Sequence, residues 1–154
     1  MKKFLFLMTF ASLLALGSCE ESGTPKPLQI NNALTEAEKA EGKFTAEIMW
    51  KMGRIGSQVL SEDGSKLIYA LTEYNLAENR GVTTLWLRDM ATGETKRLTD
   101  YNSSNHSAQW LDANNIAFLS NRTGSSQVWA MNIETLAVHQ VTNLEKDVEG
   151  FGIT

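Results

Sequence analysis

Two stretches of the chain carry the same order of apolar and polar positions. From residue 58 the sequence reads QVLSEDGSKLIYAL, then TTLWLRD, then ETKRLT; from residue 108 it reads AQWLDANNIAFLS, then SQVWAMN, then AVHQVT. Each apolar run is short, rich in β-branched and aromatic residues, and bounded by Asp, Asn, Gly and Ser, the pattern of strands joined by tight turns. Trp86 and Trp129 stand 43 positions apart, as do Leu98-Thr99 and Val141-Thr142, and Arg88-Asp89 and Met131-Asn132 keep the same offset. A period of ~40–45 residues built from short strands is the sequence signature of a β-propeller blade. The fold expected is therefore all-β, a partial β-propeller of about two blades with the start of a third at Gly150-Phe151-Gly152-Ile153-Thr154. Propellers typically close with ~4–8 blades, so the chain reads as the front piece of something larger.

The expected strands of the first copy are 58–61, 67–71, 84–89 and 95–99, and those of the second are 108–111, 116–120, 127–132 and 138–142. Asp63-Gly64 supplies the positive-φ residue of a tight hairpin. Leu67-Ile68-Tyr69-Ala70-Leu71 is continuously apolar, which suits a strand covered on both faces. The polar alternation of 95–99 suits an outer edge that must resist mispairing. Leu67-Ile68-Tyr69 aligns with Ile116-Ala117-Phe118 at offset 49, which puts six extra residues between the second and third strands of the first copy. They are read as a polar surface connection from Thr72 to Val82.

The N-terminal third has a different texture. Lys2 and Lys3 precede an apolar run of 13 residues, Phe4 to Leu16. A helix needs ~20 residues to span a bilayer, so residues 1–18 read as a secretory signal peptide. Leu16-Gly17-Ser18-Cys19 resembles a bacterial lipobox, which implies lipidation of Cys19 and a membrane partner through a lipid anchor. Residues 19–33 read as a flexible tether and 34–54 as a short helical segment, with blades from 55 to 154. Thr35 followed by Glu38 matches a capping box, Thr45 is a second candidate N-cap, and Gly53 suits a helix end. Met49 and Trp50 are read as packing residues.

Charge and chemistry narrow the function. Cys19 is the only cysteine, so no internal disulfide forms. The net charge is −4, and no basic stripe exists to meet nucleic acid, which excludes that partner. No G-x-S-x-G nucleophile elbow occurs. His106, expected in a loop, and His139, expected in an outer strand, have no Ser–Asp constellation and no clustered carboxylates. No catalytic, cofactor-binding or metal-binding residue is therefore assigned, and no cofactor is expected.

EIMWKMGRIGSQVLSEDGSKLIYAL, LWLRDMATGETKRLT and FLSNRTGSSQVWAMN together resemble the N-terminal half of bacterial serine peptidases of the prolyl oligopeptidase family, over roughly residues 46–154. The S-x-D-G turn and the L-T close are also similar to TolB-type propeller repeats. The family's usual Pro-Asp-Gly is Glu62-Asp63-Gly64 here, and Asp112-Ala113-Asn114-Asn115 in the second copy. The resemblance implies a propeller that limits access to an α/β-hydrolase domain whose catalytic triad lies outside these residues, with a peptide substrate reached through that domain. Two alternatives stay open: a non-enzymatic TolB-like envelope lipoprotein that binds protein partners, and a complete chain that associates with itself.

Overall fold

The computed structural model describes residues 28 and 30–153; the signal-peptide reading, Cys19 and most of the tether lie outside them. The chain forms two four-stranded antiparallel sheets, each in strict sequence order. The first sheet holds β1 (Arg54–Leu60), β2 (Lys66–Asn75), β3 (Arg80–Asp89) and β4 (Thr95–Arg97). The second holds β5 (Asn105–Trp110), β6 (Asn115–Ser120), β7 (Gln127–Asn132) and β8 (Val138–Gln140). β1 neighbours β5, whereas the outer strands β4 and β8 diverge, so the two sheets fan out as adjacent blades from a common inner side.

Strand parity decides which residues meet. Ile68 and Ala70 on β2 and Leu85 and Leu87 on β3 are cross-strand neighbours on one face of the first blade. They pack with Leu98 and Ala108 against Ile116, Phe118 and Met131 of the second blade, and Trp129 and Val138 close the same core. Phe118 and Ile116 are fully buried there. The opposite face of the first blade carries Leu67, Tyr69 and Trp86, the counterparts of Ile116, Phe118 and Trp129. Tyr69 and Trp86 stack with centroids 6.5 Å apart and remain half-buried. The continuous apolar run is thus covered fully on the face toward the second blade and only partly on the other.

The Leu-Thr close of each repeat has a physical reason. β4 and β8 are only three residues long, and a threonine hydroxyl continues their pairing. Leu85 N–H donates to Thr99 Oγ1 at 2.9 Å, and 43 residues on, Val128 N–H donates to Thr142 Oγ1 at 2.9 Å. The same offset links the next step: Thr83 N–H donates to Ser104 Oγ at 3.3 Å, and Ser126 N–H to Asp147 Oδ1 at 2.6 Å. Val148 and Phe151 then pack on Ala117, Leu119 and Val128, with Gln109 Nε2 donating to Phe151 O at 2.8 Å. Residues 147–153 therefore lie across the second blade where β5 lies across the first.

Two expectations are corrected. The segment from Thr72 to Val82 is not a polar loop: β2 and β3 run on as a ladder to the pair Asn75–Arg80, leaving only residues 76–79 as a tip. Thr72 and Thr83, paired through their hydroxyls at 2.8 Å, and Tyr74, which faces Gly81, are β-formers that extend the hairpin. Gly53 is not a left-handed helix end; the C-cap is Met52 at φ −74°. A Cβ at Gly53 would come within 2.8 Å of Leu71, so the glycine serves a close approach to β2.

Two six-residue helices, α1 (Glu36–Glu41) and α2 (Ala46–Lys51), precede the first blade. Helices this short are marginal alone, and a threonine side chain caps the start of each. Thr35 and Glu38 form the capping box of α1, and Thr45 Oγ1 accepts from Ile48 N–H to cap α2. Glu38 also pairs with Lys51 at 2.7 Å, tying the helices together. On the far side of α2, the Arg54 guanidinium lies 4.7 Å from the Trp50 ring and 4.6 Å from the Tyr74 ring, and the two rings meet edge to face. α2 is thereby clamped to the extended end of the β2–β3 hairpin.

Two tests follow from this packing. Phe118→Ala removes a ring from the inter-blade core and should cost about 3–5 kcal/mol. Tyr69→Ala, the same position one blade earlier but on the open face, should cost markedly less; equal losses in urea melts would contradict the assigned faces. Lys51 and Thr35 lower the Glu38 carboxyl from 4.5 to about 2. A depressed carboxyl stabilises the folded form above its unfolded value and loses that effect as pH falls through its folded value. The protection factors of the α1 and α2 amides, taken against the unstructured-peptide rate at each pH, should therefore fall as pH drops from 4.5 to about 2, and Glu38→Gln should remove that fall.

Candidate functional site

The inner strands present the surface that would line the axis of a ring of blades. Both are interrupted at the same level: the β1–β2 register shifts between Ile55 and Gln58, and the β5–β6 register shifts between His106 and Gln109. A bulge leaves residues unpaired and re-aims them. Ser57 and Ser107 occupy these bulges, and Ser107 N–H donates to Ser57 Oγ across the blade junction at 3.3 Å. Ser107 adopts φ +53°, a conformation unusual for a residue with a side chain. His106 is exposed on β5 rather than in a loop, with Nδ1 3.0 Å from Ser107 Oγ. The sequence carries no pattern that marks these bulges beyond small polar residues inside an inner strand.

This His–Ser contact is not a catalytic arrangement. The two residues are adjacent in sequence, and no carboxylate is hydrogen-bonded to the ring among the described residues. A nucleophile needs a base that is itself oriented by a third group. His139 lies on β8, in the wall of a cavity of about 640 Å³ on the open side of the second blade. Ala117, Val128, Ala130, Val141 and Phe151 also line that cavity. No group of three or more His, Cys, Asp or Glu able to hold a metal occurs among the described residues. Cys19 lies outside them, and no helix among them is long and apolar enough to cross a membrane.

The acidic residues nearest the inter-blade grooves are occupied by turns. Asp63 accepts from Ser61 Oγ and from the Ser65 N–H and hydroxyl, which hold its carboxyl down at about 2. Asp112, its counterpart 49 residues on, accepts from Asn114 and Asn115 N–H. Asp89 takes Ala91 and Thr92 N–H, and Asn132 repeats the arrangement with Glu134 and Thr135 N–H. Backbone hydrogen bonds favour the charged form, which lowers the Asp89 and Asp112 carboxyls too. A groove of about 550 Å³ between the two hairpin turns is lined by Asp63, Lys66, Trp110 and Asp112. Asp63 and Asp112 are committed to turn hydrogen bonds, and Glu62 also lines the groove.

Arg122 is a part-exposed cation at the blade junction. Its guanidinium stacks 4.8 Å from Trp129 and 5.4 Å from Phe118, donates to Ser120 Oγ at 3.1 Å and to Asn105 Oδ1 at 3.2 Å. Burial pushes its pKa down. These contacts join β5, β6 and β7, a packing role.

No family model matches the chain. The chain is 31% identical to dipeptidyl-peptidase 5 of Porphyromonas gingivalis over 86 residues, covering 55% of this chain and 13% of that protein. It is 25% identical over 118 residues to dipeptidyl-peptidase 5 of Porphyromonas endodontalis, covering 76% of this chain and 17% of that one. The chain therefore spans less than a fifth of the length of the curated relatives it matches. Among solved structures it superposes on Pyrococcus horikoshii acylaminoacyl peptidase with a TM-score of 0.50 at 21% identity, over 63% of this chain and 15% of that one. The likeness supports the fold: the two sheets are consecutive blades of a β-propeller. The sequence similarity is to proteins named dipeptidyl-peptidase 5.

The bulge can be tested by substitution. Ser107→Val places a β-branched residue at positive φ and should lower stability by about 1–2 kcal/mol. Ser107→Gly should fall within a few tenths of a kcal/mol of the parent, because glycine adopts positive φ freely. Equal melting temperatures for both variants would show that the left-handed backbone is not required.

Proposed function

We propose that these blades belong to the propeller of an exported serine peptidase of the prolyl oligopeptidase type, with peptide-bond hydrolysis performed by a hydrolase domain outside these residues. The observation that carries this reading is the 31% identity to a dipeptidyl-peptidase over 86 residues. The inner-strand bulges support it: they bring Ser57, His106 and Ser107 together as a hydrogen-bonding wall. In this reading Ile55, Ser57, His106 and Ser107 face a passage toward the catalytic centre, and the propeller acts by limiting what enters. Hydrolysis itself would be acyl transfer through a serine held in the other domain. The Cys19 lipobox and the apolar run before it support export and a lipid anchor at a bacterial membrane.

The test compares the purified 154-residue chain with the product of the whole reading frame, both offered dipeptidyl chromogenic substrates. Hydrolysis by the longer product alone is expected. Turnover by the 154-residue chain, or none by a longer product that contains a G-x-S-x-G serine, would overturn the reading. In the same cells, globomycin should leave the signal peptide uncleaved; normal processing would remove the lipid-anchor part alone.

A further inference from the structure

An arginine carries five N–H donors in a planar fork and no acceptor. Among the described residues, three arginines lie over aromatic rings: Arg54, Arg97 and Arg122. Two of them have polar company. Arg122 donates to Ser120 Oγ and Asn105 Oδ1. Arg97 lies 4.4 Å from the Tyr101 ring, whose hydroxyl donates to a Glu73 carboxylate oxygen at 2.8 Å. Arg54 differs from both. It meets two rings, and no hydrogen bond or ion pair engages its guanidinium among the described residues, where the ion pairs use Lys39, Lys43 and Lys51.

That fork is fixed from several directions. Its carbon lies 4.7 Å from the Trp50 ring and 4.6 Å from the Tyr74 ring, and the two ring centroids are 5.1 Å apart. Trp50 belongs to α2, Arg54 opens β1 and Tyr74 lies near the end of β2, so a helix, an inner strand and a hairpin meet at the guanidinium. A Cβ at Gly81 would come within 2.8 Å of Tyr74, so that ring rests on bare β3 backbone. The pairing of Arg54 with Thr72 and the close approach of Gly53 to Leu71 hold the arginine backbone. Arg54 nevertheless remains exposed. Stacking on aromatic faces orients a guanidinium while leaving its N–H edge available to a planar anion.

We propose that Arg54 binds a ligand carboxylate through paired N–H···O bonds, with Trp50 and Tyr74 holding the fork in place. Fork and carboxylate are matched planar, bidentate partners. A single free cation suits the single charge of a carboxylate better than the double charge of a phosphate, since Lys51, next to Trp50 in sequence, is committed to Glu38 at 2.7 Å. The position of Arg54 gives the ligand its class. It is the first residue of the inner strand that runs on through Ile55 to the bulge at Ser57, and the long β2–β3 hairpin stands beside it. A ligand entering the axial passage at this end meets Arg54 before it reaches Ser57. The carboxylate is that of a peptide, at its C-terminus or on an acidic side chain. Carboxylate binding stands on the contacts around Arg54; the peptide as its bearer rests on the peptidase reading above.

Side-chain NMR of the 154-residue chain tests the proposal, with the Arg54 Nε–H signal identified by its contacts to the Trp50 and Tyr74 rings. Three peptides are titrated: acetyl-Ala-Gly-Ala with a free C-terminal carboxylate, the same peptide as its C-terminal amide, and acetyl-Ala-Glu-Ala amide. The signal should shift saturably with the first or the third, which separates a terminal from a side-chain carboxylate, and stay in place with the second. Arg54→Lys should bind about tenfold more weakly, because a point charge replaces a bidentate fork. The peptide comparison uses the parent chain alone, so it decides even where a variant fails to fold. No shift with either carboxylate peptide, or an equal shift with the uncharged amide, would overturn the proposal. So would inorganic phosphate binding more tightly than acetate, or a folded Arg54→Gln variant that binds as the parent does. Saturable carboxylate binding without peptidase activity in the product of the whole reading frame would keep the site and remove the peptidase reading.

Discussion

Ile116, Phe118, Trp129 and Met131 of the second blade rest on Ile68, Ala70, Leu85 and Leu98 of the first, and the other elements are arranged around that contact. A twisted four-stranded sheet has two faces and no means of covering both itself. Each must be covered by a neighbour, and the contact works only if strand parity is kept from one repeat to the next. The offset of 49 between β2 and β6 and of 43 between β3 and β7 preserves it. The six-residue difference is even, and it lengthens the hairpin at its tip without turning any core residue outward.

The same constraint explains why the repeat could be read so fully and the site so little. Apolar runs, Asp-Gly and Asp-Asn turns and the Leu-Thr close all follow from strand packing and turn chemistry, which are local. The 127–132 strand coincides with β7, and the Leu-Thr pairs prove to be hydroxyl continuations of the outer strands. The extra residues of the first repeat were legible as an insertion but not as a ladder, because Thr72, Tyr74 and Thr83 look polar while their pairing depends on the opposite strand. Gly53 was legible as a special position, but its reason, the Leu71 side chain, is 18 residues away.

The inner wall was the least legible part. Bulges at Ser57 and Ser107 arise from register between strands, and nothing in the composition of either segment requires one. His106 looked like a loop residue because the strand around it, Asn105 to Trp110, is polar on most positions. An inner strand can have such a sequence, since Ala108 and Trp110 suffice to pack it on the inter-blade core. The fold is thus written in the middle strands of each blade, while the surface that would meet a ligand is written in the strands with the weakest pattern.

Residues 147–153 rest on the second blade, held by the Ser126–Asp147 and Gln109–Phe151 hydrogen bonds and the packing of Val148 and Phe151. During synthesis, a growing chain of this kind adds material to a surface already finished upstream. Each new section starts by adhering to its predecessor and completes its own sheet afterwards. Domains generally form from the N-terminus as they emerge. The vulnerable moment in such growth is the interval between adhesion and completion, when one freshly laid segment is the sole cover of a nonpolar wall.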